Sequence, residues 1–225
     1  AAELQGELSG TGSGPSGWVR ITVSPGLAEA VIAPSLNTLY RRHPQLHVDI
    51  AADDHMVDMA REGIDIALRT GTTHTDTVVA RQIGGLKRAL FASPAYVAEF
   101  GLPASPEELD QHRLIGNSGN PVLNRWTMSA GKRRHELLVK GHTRTDNTAV
   151  MLSLVLHGVG IARLAELVAQ PLVQRGQLVP VLPERFEMPD APLYAVMLQE
   201  RQRLPKVRAC IDHLAEWMQV QHAAG

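Results

Sequence analysis

The stretch from Trp18 to Leu68 constrains the fold more than any other part of the chain. Trp18, Arg20, Thr22 and Ser24 alternate with Val19, Ile21 and Val23, and such β-branched alternation predicts a strand. Leu27, Val31, Leu36, Leu39 and Tyr40 then fall near helical spacing. Pro34 inside that run predicts a kink or a late helix start, and Pro44 follows its end. Leu46 to Ala51 reads as a second strand, Met56 to Glu62 as a short helix closed by Gly63, and Ile64 to Leu68 as a third strand. Strand, helix, strand, helix, strand is the pattern of right-handed crossovers and a mostly parallel sheet, so an α/β fold is expected.

Beyond residue 77 the pattern changes. Val78 to Gln82 and Ala89 to Ala92 read as strands, the second leading through Ser93 and Pro94 into a helix over 95–100. Ser105, Pro106, Glu107 and Glu108 form a helix start. Arg113 to Gly116 reads as a strand, and Trp126 to Val139 as a hairpin. Asn147 to His157 is apolar on all sides and is expected to be largely buried, with Thr145, Asp146 or Asn147 as its cap. A strand over 160–163, a helix over 164–175, strands over 178–181 and 193–198, and a final helix over 204–220 complete the reading. In the last helix Val207, Ile211, Leu214, Trp217 and Met218 form the inward stripe.

Composition narrows the class of function. A net charge of -1 with no basic block argues against phosphate-backbone binding by this stretch itself. The one cysteine, Cys210, rules out an intramolecular disulfide and reads as a small buried apolar residue. No apolar run approaches the roughly 20 residues of a membrane helix, and no signal-like segment opens the chain, so no membrane association is expected. Residues 9–17 consist of Gly, Ser, Thr and Pro and read as a flexible linker.

The sequence carries no complete catalytic motif. Gly116-Asn-Ser118-Gly-Asn120 has Asn120 where a nucleophile elbow needs glycine. His43 and His47 are separated by Pro44 and do not share a helix face, so they do not form a zinc motif. Asp53, Asp54 and Asp58 lack the Gly and Glu of a calcium loop. Gly158-Val-Gly160 lies between a helix and a strand, the reverse of a dinucleotide fingerprint. No enzyme activity, metal or cofactor is expected.

The binding reading rests on a general rule: in open α/β sheets, ligands gather beyond the carboxyl ends of strands, where helix N-termini offer free N–H groups. That rule selects Ser24, Pro25 and Gly26 after the first strand, Ala52 and Asp53 after the second, and Arg69 and Thr70 after the third. It also selects Asn117, Ser118, Thr145, Asp146 and Asn147, which equally suit plain capping. Arg69 is suited to a carboxylate or to a structural acid.

Several stretches, in order, resemble the effector-binding domain of LysR-type transcriptional regulators. They are Val19 to Pro25, Ile32 to Leu36, Arg42 to Pro44, Val57 to Gly71, Val79 to Arg81, Phe91 to Tyr96, Thr145 to Asn147, His157 to Ala162, Gly176 to Leu182 and Leu204 to Asp212. Two positions depart from that family: Arg163-Leu-Ala165 stands where a proline commonly follows Gly-Ile-Ala, and Cys210 replaces a bulky apolar residue. The resemblance implies a two-lobed fold like type 2 periplasmic binding proteins, its lobes joined by two crossover strands. Lobe I is expected at 18–86 plus 193–222 and lobe II at 87–192, with 1–17 a linker from a missing DNA-binding domain. It further implies a small-molecule effector between the lobes, plausibly an organic anion, and a homodimer built on the helix near 27–42 and the second lobe, tetrameric at full length. DNA contact would come only through an N-terminal winged helix-turn-helix, in the cytoplasm. The alternative is a solute-binding protein of a transport system, which shares this fold.

Overall fold

A computed structural model describes residues 14–71, 77–130, 132–184 and 189–224. The linker expected over 1–17 therefore lies mostly outside the described residues. Two compact units make up the chain. The first takes in residues up to Val23, Leu27–Gly84 and Pro192 onward; the second takes in Ser24–Gly26 and Gly85–Ala191.

In the first unit β1 (Gly17–Val23) lies between β2 (Leu46–Ala52) and β3 (Ile66–Thr70), parallel to both. β12 (Ala191–Leu198) adds antiparallel to β3, and β4 (Val78–Leu86) closes the order β2-β1-β3-β12-β4. The sheet is thus mixed, not simply parallel. The chain passes between the units inside β4 and again inside β12. Val19, Ile21, Val23, Ile66 and Leu68 are buried, as alternation and flanking helices require.

Pro34 has the effect expected of it. A π-helical turn over Ala28–Ile32 precedes α1 (Ala33–Arg42), which places the proline in the first turn, where its missing N–H does no harm. The final helix, α5 (Pro205–Ala224), buries Val207, Ile211, Leu214 and Met218, while Trp217 is only half-buried. Cys210 lies among them, 1% exposed, and burial, with the Asp65 charge behind it, pushes its thiol up to about 12.

The expected helix over 56–62 does not form. Asp53 and Asp58 carboxylates instead accept from the N–H groups of His55 and Arg61, competing with a helical ladder, and a turn ends at Gly63 (φ +65°).

The second unit holds β5 (Arg88–Ala92) between β10 (Ala162–Ala165) and β11 (Val179–Val181), antiparallel to both. β6 (Ile115–Asn117) runs parallel to β9 (Thr143–Thr145), and a parallel bridge from Leu114 to Ile161 sets β6 beside β10. The expected hairpin forms as β7 (Arg125–Ala130) and β8 (Arg133–Leu138). Its Trp126, Met128 and Leu137 cover one sheet face with Leu90, Leu114 and Ile161; Phe91, Ala162 and Leu164 point into a second cluster.

Helix α2 (Pro94–Phe100) starts on the Ser93 hydroxyl, which accepts from the Tyr96 N–H at 3.1 Å. The helix start at Ser105 yields a 3₁₀ turn over Pro106–Gln111 without a side-chain cap: the Ser105 hydroxyl donates to the Glu107 carboxylate instead, and the Glu108 carboxylate reaches back to the Ala104 N–H. Helix α3 (Thr148–Leu156) is less buried than its composition predicts: Met151 and Val155 are buried, yet Val150 is 46% exposed. A helix packed on one sheet has only one face to bury, whatever its other faces carry. Helix α4 (Glu166–Gln174) follows β10 directly, and Arg163-Leu-Ala165 is the strand that leads into it.

Candidate functional site

β1, β2 and β3 are parallel, so their carboxyl ends fall together, and four sequence-selected residues of the first unit gather there: Ala52, Asp53, Arg69 and Thr70. Asp53 is anchored by its own N–H, which donates to the Val23 carbonyl at 2.9 Å. Its carboxylate takes hydrogen bonds from the His55 N–H and from His55 Nδ1, each at 2.8 Å, and these contacts hold it below the usual carboxylate range. The Arg69 guanidinium donates to the carbonyls of Leu68 (3.0 Å) and His55 (3.1 Å) and to Thr22 Oγ1 (3.0 Å). These acceptors are neutral, so they fix the guanidinium without cancelling its charge. Burial lowers the Arg69 pKa, partly offset by Asp53 and Asp54.

Sequence reasoning missed Thr22 and His55 in this group. Thr22 sits fully buried within β1, and only the strand's pairing to β3 brings it under Arg69. His55 lay two residues from Asp53, the spacing of an Asx turn, which is the signal that marks it.

The second unit gathers the rest. Ser24, Pro25 and Gly26 belong to it, and the Gly26 N–H donates to Thr148 Oγ1 at 3.1 Å, so Thr148 is a further member that the sequence did not single out. A Cβ on Gly26 would stand 3.5 Å from that same hydroxyl, so the approach is close. β6 and β9, being parallel, end together at Asn117 and Thr145. The Ser118 N–H donates to the Thr145 carbonyl at 3.0 Å.

Asn117 organises the loop beyond it. Its Oδ1 accepts from the N–H groups of Gly119 (2.9 Å) and Asn120 (2.7 Å), while its backbone pairs twice with the Asn124 amide at 2.7 Å. Gly119 packs on Asp146, whose Cβ would lie 3.0 Å from a Cβ added there. Of the three cap candidates, Asn147 caps α3, accepting from Ala149 and Val150 N–H groups at 3.0 and 3.1 Å; Thr145 Oγ1 accepts from the Asn147 N–H. Asp146 is thereby left on the exposed side of the turn.

Each group offers oriented donors and acceptors for a small polar ligand. Among the described residues no group of three or more His, Cys, Asp or Glu is placed to hold a metal ion.

Comparison with known proteins agrees with this architecture. The family described as the LysR substrate binding domain matches residues 12–219. An HTH-type transcriptional regulator of Xanthomonas campestris pv. campestris is 34% identical over 221 residues, covering 95% of this chain and 64% of that protein. The HTH-type transcriptional activator TtdR of Escherichia coli is 31% identical over 206 residues, covering 91% of this chain and 66% of that protein. The chain thus spans about two thirds of the length of these relatives. Among solved structures, the regulatory domain of CrgA, a LysR-type transcriptional regulator from Neisseria meningitidis, superposes with a TM-score of 0.84 at 24% identity, covering 91% of this chain and all of that one. The effector domain of the regulator AmpR of Pseudomonas aeruginosa gives 0.75 at 20% identity, covering 92% and 98%.

Proposed function

The chain belongs to the LysR substrate binding domain family, the effector-sensing regulatory domain of LysR-type regulators, and from that premise we propose which of its residues do the sensing. As such a domain it is not an enzyme. Its effector is a small molecule, an organic anion, contacted by Asp53, Arg69 and Thr70 of the first unit. Ser24, Pro25, Gly26, Asn117, Ser118, Thr145 and Asp146 of the second unit contact it as well.

The observation that carries this reading is Arg69. A half-buried guanidinium at the end of parallel strands, whose three hydrogen-bond acceptors are all neutral, is oriented with its planar fork in place to meet a carboxylate, while Asp53 and Asp54 nearby keep it charged. Effector binding shifts the population between two arrangements of the protein, and the longer regulator reads that shift out on DNA through an N-terminal winged helix-turn-helix. The assembly is a homodimer of this domain, a tetramer at full length, acting in the cytoplasm. Among the described residues no helix is long and apolar enough to cross a membrane. The transport alternative shares only the fold, whereas the relatives are named as transcriptional regulators.

A thermal-shift screen of metabolites against the isolated chain tests the reading. An organic acid at 100 times its Kd is expected to stabilise the domain by about 2.7 kcal/mol. Arg69→Ala and Ser24→Ala are each expected to weaken that ligand at least tenfold. Unchanged affinity in both variants would remove these residues from the site.

A further inference from the structure

We infer that Arg88 and Arg163 form a second cationic subsite in the second unit, built to take an anionic oxygen-bearing group of a small ligand. The inference rests on the reading of this domain as an effector sensor and extends it to the effector's charge.

Strand register supplies the geometry. Arg88 of β5 faces Ala165 of β10 in antiparallel register, and Arg163 faces Leu90. Arg88 and Arg163 are therefore diagonal neighbours on one sheet face, about 7–8 Å apart at the backbone. It is the face on which Leu90 and Ile161 are buried under the β7–β8 hairpin. β10 lies parallel to β6, and β6 to β9, so these strands end together, and β5, being antiparallel, starts there. The arginine pair thus sits at the same end of the sheet as Asn117, Ser118, Thr145 and Asp146.

Both side chains are half-buried. The Arg163 guanidinium donates to the Leu123 carbonyl at 3.1 Å, in the loop that Asn117 and Asn124 staple, and among the described residues no carboxylate lies within ion-pair reach of it. Burial, and after it the charge of Arg88, pushes Arg163 down to about 10. It stays charged at neutral pH beside a like charge. A fold that sets two arginines diagonally on one sheet face, with the charge of Arg88 felt at Arg163, gains by accepting an anion between them, and the planar fork of arginine suits a carboxylate, sulfate or phosphate.

The test uses the 225-residue chain with acetate, succinate, inorganic sulfate and inorganic phosphate at constant ionic strength, read by titration calorimetry and thermal shift. Saturable binding is expected, at least tenfold tighter for the doubly charged probes than for acetate. Success with sulfate or phosphate alone would assign an oxyanion group, and success with succinate would assign a second carboxylate. Arg163→Leu is expected to lose that binding at least tenfold and, without ligand, to raise the melting temperature; Arg163→Lys should restore part of the binding. Equal affinity for single and double charges, or binding unchanged by Arg163→Leu, overturns the subsite. If Arg69→Ala abolishes binding while Arg163→Leu does not, the subsite falls and the effector reading stands; if neither matters, both fall.

Discussion

Replacing Asp65 with alanine is expected to destabilise the first unit by about 3 kcal/mol, the size associated with breaking a buried ion pair from one side. Asp65 is 4% exposed and does two things at once. One carboxylate oxygen accepts the Arg20 N–H at 2.8 Å; the other accepts the Arg201 guanidinium. The Asp65 N–H also donates to the Arg20 carbonyl at 2.9 Å, so this one residue ties the middle of β1 to the entry of β3. Alanine leaves the Arg20 N–H without its acceptor inside the sheet and Arg201 without its counter-charge. Arg201 is one third exposed and can rehydrate, which keeps the loss at the lower end of the range. Asp65→Asn retains an acceptor for Arg20 and should lose less. Urea denaturation followed by fluorescence measures both; an alanine variant within 0.5 kcal/mol of the parent, a margin typical of surface sites, would show the tie to be unimportant.

Gly160→Ala is expected to be at least as damaging to the second unit, at or above the roughly 3 kcal/mol that marks the upper part of the overpacking range. A Cβ at this position would sit 2.4 Å from the Arg113 carbonyl oxygen and 3.2 Å from Ile115 Cγ1. That oxygen cannot swing away, because it accepts the Ile161 N–H at 2.8 Å while the Ile115 N–H donates to the Ile161 carbonyl at 2.9 Å. Accommodating one methyl group therefore means opening the contact between β10 and β6, which also positions Asn117. Gly158→Ala is the useful contrast. Gly158 has φ +74°, so alanine there meets the left-handed penalty of about 1–2 kcal/mol, with its closest neighbour the Ser93 hydroxyl at 3.4 Å. Denaturation midpoints should rank the parent above Gly158→Ala and Gly158→Ala above Gly160→Ala. The reverse order of the two variants would mean that the strand contact is softer than its geometry.

The α/β class was legible from residues 18–68 because β-branched alternation and proline placement act locally. The late start of α1 at Ala33 was legible as a proline constraint, though the π turn before it was not. What escaped was decided by partners far away in sequence. Antiparallel addition of β12 to β3 depends on where the chain returns, and the partial exposure of α3 depends on the sheet offering one face. The missing helix at 56–62 was set by two aspartates spending their oxygens on nearby N–H groups. At the candidate site, rules about strand ends selected Asp53, Arg69, Asn117 and Thr145, all four of which do lie at the carboxyl ends of parallel strands. They could not find Thr22, Thr148 or the Arg88–Arg163 pair, which reach those ends only through strand register and packing.

The most direct test of effector sensing is hydrogen exchange on the isolated chain with and without the stabilising organic acid. Slowed exchange is expected at the amides of 53–55 and 69–70 and at those of 117–120 and 145–148, with the core of α5 unchanged. Protection confined to other segments, or none at saturating ligand, would contradict the assignment.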